Sequence, residues 1–249
     1  AFALHAAATP AYGQHWGLLF GFLAIVVVAL AILALARGPE VLHLVGGGTT
    51  LIVFGIWLAR SYRPSGGSEG DPVSGHWPLV LGLLTAFVLL HLAIPLIARR
   101  IGRPFVGEGR QGGMTAALLL FAFPALFAIE PATADLGWTF AGLVGLFALL
   151  GLASVAFREG RIWWTATTAA LVSTSTWCGL HLDAGRFEQG FLLLLAVIGL
   201  VVAVPWLARR LGRDLEPTGA TPWSLLGSLA LLVVTSRPSL SGPALFALV

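Results

Sequence analysis

Lysine is absent from this chain of 249 residues, and all 14 basic residues are arginine. Charged residues of both signs make up only 10%. A soluble domain carries roughly 25%, so this chain cannot cover a water-facing surface. The 11 acidic residues leave a net charge of +3. The arginines sit in short groups at the ends of apolar runs. They form no clustered basic face, which excludes nucleic acid as a partner. A single cysteine, Cys178, excludes an internal disulfide and any multi-cysteine metal site. The only methionine is Met114, and the chain ends inside an apolar run, so it reads as a segment of a longer protein. Arginine without lysine, beside abundant Ala, Gly and Leu, points to a GC-rich bacterial source.

What is present is apolar: 57% of the residues, at a mean hydropathy of +0.91. Disordered and fibrous chains are excluded on that ground. The expected class is an all-α polytopic transmembrane helix bundle whose main partner is the lipid bilayer. A bilayer core of about 30 Å needs ~20 helical residues. Eight runs meet or approach that length: Trp16–Ala36, Val41–Ala59, Trp77–Ala98, Gly112–Ile129, Leu136–Phe157, Ile162–Leu182, Gly190–Ala208 and Thr221–Thr235. The fourth and eighth are short. Strands are excluded because the runs are too long and lack alternation. Trp16, Trp77, Trp138, Trp163, Trp164 and Trp223 stand at run starts, with Trp57 and Trp206 near run ends. That placement predicts an interfacial aromatic belt.

Ten arginines follow the odd runs or lie on that side, against four on the other. The positive-inside rule places the richer side in the cytoplasm of a bacterial inner membrane. The segment's N-terminus is then outside, and the loop Ser61–His76 is external.

Two stretches repeat. Ala93-Ile-Pro-Leu-Ile-Ala-Arg-Arg-Ile-Gly-Arg103 and Ala203-Val-Pro-Trp-Leu-Ala-Arg-Arg-Leu-Gly-Arg213 agree at seven of eleven positions, 110 residues apart. The first and fifth runs align at an offset of 121 to 122, the difference lying in the outer loops. Four spans per unit is an even number, so the units share one orientation, a parallel repeat. The predicted division is 1–110 and 111–235, with 236–249 starting a further span.

Within Leu33 to Pro64, a basic break follows one span. A Gly/Thr-rich span comes next, then Trp57 and a closing Arg60-Ser-Tyr-Arg-Pro64. This texture resembles a family of very long bacterial polytopic proteins described only as predicted membrane proteins with a domain of unknown function. The resemblance covers about the first hundred residues. It implies many short-linked spans in pairs, and no activity, cofactor or site residue.

Ionisable residues inside a bilayer are functional candidates by default. No Asp, Glu or Arg lies mid-span, which argues against a carboxylate proton relay. Glu130, Asp183 and Glu188 are expected at outer, water-accessible ends. His91 is the exception, one turn before Pro95 in the third span. Its favoured reading is a neutral histidine hydrogen-bonded to a neighbouring helix, and the alternative is a ligand or proton site. Its expected partners are hydroxyls: Thr49, Thr50, or the sixth-span group that includes Thr168, Ser175 and Thr176. That group is expected to return most of its hydroxyls to carbonyls one turn earlier, with a polar translocation path as the alternative. His5, His15, His76 and His181 match no metal spacing. His43 and His91 differ in depth by about 8 Å, so the pair is set aside as a haem site. Small residues on the first span (Gly17, Gly21, Ala24), the second (Gly46, Gly47, Gly48) and the fifth (Ala141, Gly145, Ala148) predict close helix packing.

The expected function is therefore transport, or an envelope scaffold on which other parts of the chain or other membrane proteins act. It has no catalytic residue, cofactor or metal of its own. The alternative is the membrane anchor of an enzyme acting on lipid-linked substrates.

Overall fold

The computed structural model describes residues 2–13, 15–37, 40–62, 64, 77–105, 108–213 and 215. Among the described residues every regular element is helical. A backbone in hydrocarbon must satisfy its own N–H and C=O groups, and an α-helix does so within one segment. The apolar runs become α3 (Trp16–Arg37), α4 (Val41–Arg60), α5 (Trp77–Arg100), α8 (Gly137–Phe157) and α10 (Phe187–Arg210). These five are long and apolar enough to cross a membrane. The sixth run forms α9 (Gly160–His181), of 22 residues, but its hydroxyls keep it less apolar than those five. The fourth run is α6 (Glu108–Leu118) and α7 (Ala122–Ile129), separated by a 3-10 turn at Leu119–Phe121. Two short helices, α1 (Phe2–Ala8) and α2 (Pro10–Gly13), precede α3. The eighth run, the 236–249 tail and most of the Ser61–His76 loop lie outside the described residues.

The chain divides into two compact units, Ala1–Leu119 and Leu120–Val249. In the first, α3 packs on α4, α4 and α5 each pack on α6, and α1 lies on α4. Phe20 centres an aromatic core, 5.1 Å from Trp57, 5.7 Å from Phe54 and 5.8 Å from Phe87 by ring centroids. Trp57 is fully buried and donates Nε1–H to the Gly13 carbonyl at 3.0 Å. Ser61 donates to the Ala7 carbonyl at 2.9 Å.

In the second unit, α9 packs on α7 and α8, and α10 lies against both α8 and α9. Phe147 stacks on Trp163 at 4.9 Å with the rings 7° apart. Trp177 is fully buried and donates Nε1–H to the Thr133 carbonyl at 3.0 Å. His181 donates from Nε2 to the Phe127 carbonyl at 3.2 Å.

The two matching stretches close their helices alike. Gly102 (φ +73°) and Gly212 (φ +62°) take the left-handed conformation that glycine adopts without strain. The Arg103 amide then bonds the Ala98 carbonyl, and the Arg213 amide bonds that of Ala208, each at 2.9 Å. This is a Schellman closure. The Arg103 guanidinium reaches the Leu35 carbonyl at the end of α3 (2.8 Å), and Arg213 reaches Val155 at the end of α8 (3.1 Å). A cation at a helix C-terminus is favoured by the helix dipole.

Three expectations need correction. Trp138, Trp164 and Trp206 are exposed, as a belt residue must be, but Trp57 and Trp163 are core residues. Their rings carry more apolar area than polar, and a carbonyl or a stacked phenyl satisfies them inside. The small-residue faces of the first and fifth spans point outward. Gly17, Gly21 and Gly145 have open space where a Cβ would stand. Close packing occurs instead at Gly46, against Leu30 and Val27 of α3, and at Gly47, against Thr115 of α6. Glu130 is buried rather than water-accessible, because its carboxylate caps the Pro131–Ala134 turn by accepting from the Ala132 amide at 3.1 Å.

Candidate functional site

Buried polar side chains of the first unit converge where α4 faces α5. His43, Gly47 and Thr50 recur at i, i+4 and i+7, which puts them on one face of α4. Gly46 and Gly47 carry no side chain, which lets α3 and α6 approach α4 closely. On α5, His91 shares the buried face with Leu84, Phe87, Val88 and Ala98. His91 and Thr50 are fully buried and His43 nearly so.

The hydrogen bonds orient the His91 ring. Thr50 Oγ1 lies 3.0 Å from the Gly46 carbonyl and 3.2 Å from His91 Nε2. A hydroxyl has one proton, and a carbonyl can only accept. Thr50 therefore donates to Gly46 and accepts from His91 Nε2–H. In the neutral imidazole this leaves Nδ1 with a lone pair. His91 Nδ1 and His43 Nε2 are both buried without a hydrogen-bond partner. The two rings lie 5.9 Å apart by centroids, tilted by 41°. On its other side His43 stacks on Phe105, which follows α5, at 5.3 Å and 17°.

Of the expected residues, His91 and Thr50 meet. Thr49 does not join them, since its hydroxyl returns to the Val45 carbonyl at 2.9 Å. Thr168 and Thr176 belong to the second unit and bond the carbonyls of Trp164 (3.0 Å) and Val172 (2.8 Å) on their own helix. Ser173 and Thr174 do the same with Ala169 and Ala170. Ser175 is buried on the same helix. Four of these sixth-span hydroxyls thus satisfy local backbone, whereas the buried Thr167 hydroxyl has no hydrogen-bond partner. Asp183 caps a short turn through the Arg186 amide and pairs with the Arg186 guanidinium at 3.2 Å.

Sequence reasoning missed His43 as the partner of His91, and Phe105 as its neighbour. Counting turns from helix ends assumes that the ends of α4 and α5 share one level, which nothing in the sequence requires. The available signal was the i, i+4, i+7 face of His43, Gly47 and Thr50. Among the described residues, no three His, Cys, Asp or Glu side chains gather to hold a metal ion.

No protein-family model, curated protein or solved structure matches the chain.

Proposed function

We propose that the protein is an eight-span scaffold of the bacterial inner membrane, built from a parallel repeat of two four-span units. Its segment N-terminus lies outside, and it organises other parts of its own chain or other membrane proteins. The observation that carries the scaffold reading is how the largest buried side chains of each unit are anchored. Trp57 and Trp177 are fully buried and anchored to backbone carbonyls, and the hydroxyls of Thr168, Ser173, Thr174 and Thr176 turn back to their own helix. A transport path needs polar groups directed at a solute instead.

Support for the repeat comes from long-range bonds with equal spacing. Trp57 to Gly13 and Trp177 to Thr133 each span 44 residues. Ser61 to Ala7 and His181 to Phe127 each span 54. Arg103 to Leu35 spans 68, and Arg213 to Val155 spans 58, the second shorter by the ten residues lost from the outer loop. In this register α1 stands where α7 stands, α3 matches α8, α4 matches α9 and α5 matches α10. In that register the second unit opens at α7, near residue 120 rather than at 111, and a further span from 236 belongs to the same proposal. The resemblance to long bacterial proteins with many paired spans accords with it.

Ser175→Cys in a Cys178→Ser background tests the scaffold reading. A membrane-impermeant thiol reagent added from either side should leave the introduced thiol unmodified in the folded protein. Rapid modification would mean a water-filled path along α9, and the protein would then be a transporter. Enzyme anchorage has no comparable support, since Glu130, a buried carboxylate outside the spans, serves as a turn cap.

A further inference from the structure

We propose that His43 and His91 form a two-nitrogen site for a soft d10 monovalent metal ion of the Cu(I) class, which staples α4 to α5. Both rings are buried, and each has one ring nitrogen without a hydrogen-bond partner. In hydrocarbon such orphaned groups are strongly unfavourable, so the pair calls for a third participant.

The spacing leaves room for a third participant between the rings. A direct N–H···N bond sets the nitrogens about 3 Å apart and the ring centres about 5 Å apart. A metal about 2 Å from each nitrogen sets the ring centres about 6 Å apart. The observed separation is 5.9 Å. Thr50 supplies the outer contact that metal-bound histidines commonly make: it accepts the far N–H, fixes the tautomer and leaves Nδ1 free to ligate. Two nitrogens without a third ligand suit neither zinc, which takes four ligands, nor calcium and magnesium, which take oxygen. Filled-shell monovalent ions accept two-coordinate geometry, and a single charge is the least unfavourable to bury. Pro95 lacks an N–H, so the His91 carbonyl loses its helical donor and partial negative charge borders the site.

The second unit shows what this position looks like without the site. In the repeat register, Trp163, Ala170 and Val201 stand for His43, Thr50 and His91, and all three are buried. The Trp163 ring is stacked on Phe147. The fold thus accommodates an apolar core there, and the histidines serve something other than folding. This comparison rests on the repeat proposed above, whereas the geometry of the site does not.

The test uses the chain purified in detergent as Cys178→Ser, which removes the only thiol. Cu(I), kept reduced with ascorbate, is titrated against a chromophoric Cu(I) chelator. One equivalent should bind, raise the thermal midpoint, and give an X-ray absorption spectrum of a two-coordinate, nitrogen-only shell. His43→Leu and His91→Val should each lose that binding and the thermal shift, the second placing at 91 the residue found at 201. If a variant fails to fold, the absorption spectrum of the histidine-intact chain still decides. Absence of stoichiometric binding, a sulfur ligand from Met114, or binding that survives both substitutions would overturn the site. A lipid-embedded scaffold would be left unaffected by those outcomes, just as thiol modification of the Ser175→Cys variant would not bear on the metal.

Discussion

At the scale of single residues, the interior of the first unit turns on one hydroxyl. Thr50 has one proton and two neighbours, so the bond to Gly46 makes it an acceptor for His91. Thr50→Val should leave His91 Nε2–H buried without a partner and lower stability by about 1–2 kcal/mol. Adding His91→Leu to that variant should recover most of the loss, because both polar groups are then gone. Thermal unfolding of the two single variants and the double variant measures the coupling, and additive losses would refute the bond. Arg158 offers the opposite case. It closes α8 in the left-handed conformation at φ +56°, which disfavours a side chain by about 1 kcal/mol. Arg158→Gly should therefore raise stability by about that amount, and a lowered midpoint would show that its side chain matters more than its backbone.

At the scale of elements, glycine position decides which helix faces approach. Gly47 lies so near Thr115 that an added methyl would collide, while Gly48 has open space. Gly47→Ala should force α4 from α6 and lower stability by about 1–3 kcal/mol. Gly48→Ala, one residue on, should be neutral or stabilise by up to about 1 kcal/mol through helix propensity. Equal effects of the two in a detergent melt would contradict the packing. The matched stretches explain themselves at this scale too. Their Gly closes α5 or α10, and their final Arg reaches across to close α3 or α8. The repetition was visible as letters, whereas the second helix end that each Arg serves lies far upstream and carries no sequence mark.

At the scale of the whole molecule, orientation rests on arginine. In the eight-span reading ten of the 14 fall on one side, and moving a chain end with several cations across lipid is unfavourable. Reporter fusions within Ser61–His76 should report an external location, and fusions within Arg99–Gly112 a cytoplasmic one. The reverse pattern would invert the topology and with it the assignment of the segment N-terminus.

Apolar run length and terminal Gly, Pro and Arg were enough to determine the long helices, though not the break between α6 and α7. The bounds of α3, α4, α5 and α8 fall within about two residues of the runs read from the chain. That agreement has a local cause, since a helix satisfies its backbone within one segment and its ends are set by nearby residues. That His91 would meet a hydroxyl of another span was also legible, because a buried imidazole must find a donor or acceptor; that the span is the second and not the sixth was not. Which hydroxyl it meets was not legible. Thr49 and Thr50 are neighbours in sequence, but a turn of about 100° along the helix sends only one of them to α5. The burial of Trp57 and Trp163, the outward glycines of α3 and α8, and the meeting of His43 with His91 were decided by tertiary packing alone. Each depends on how far one helix is rotated and shifted against another, and an all-round apolar helix carries no moment that specifies the rotation.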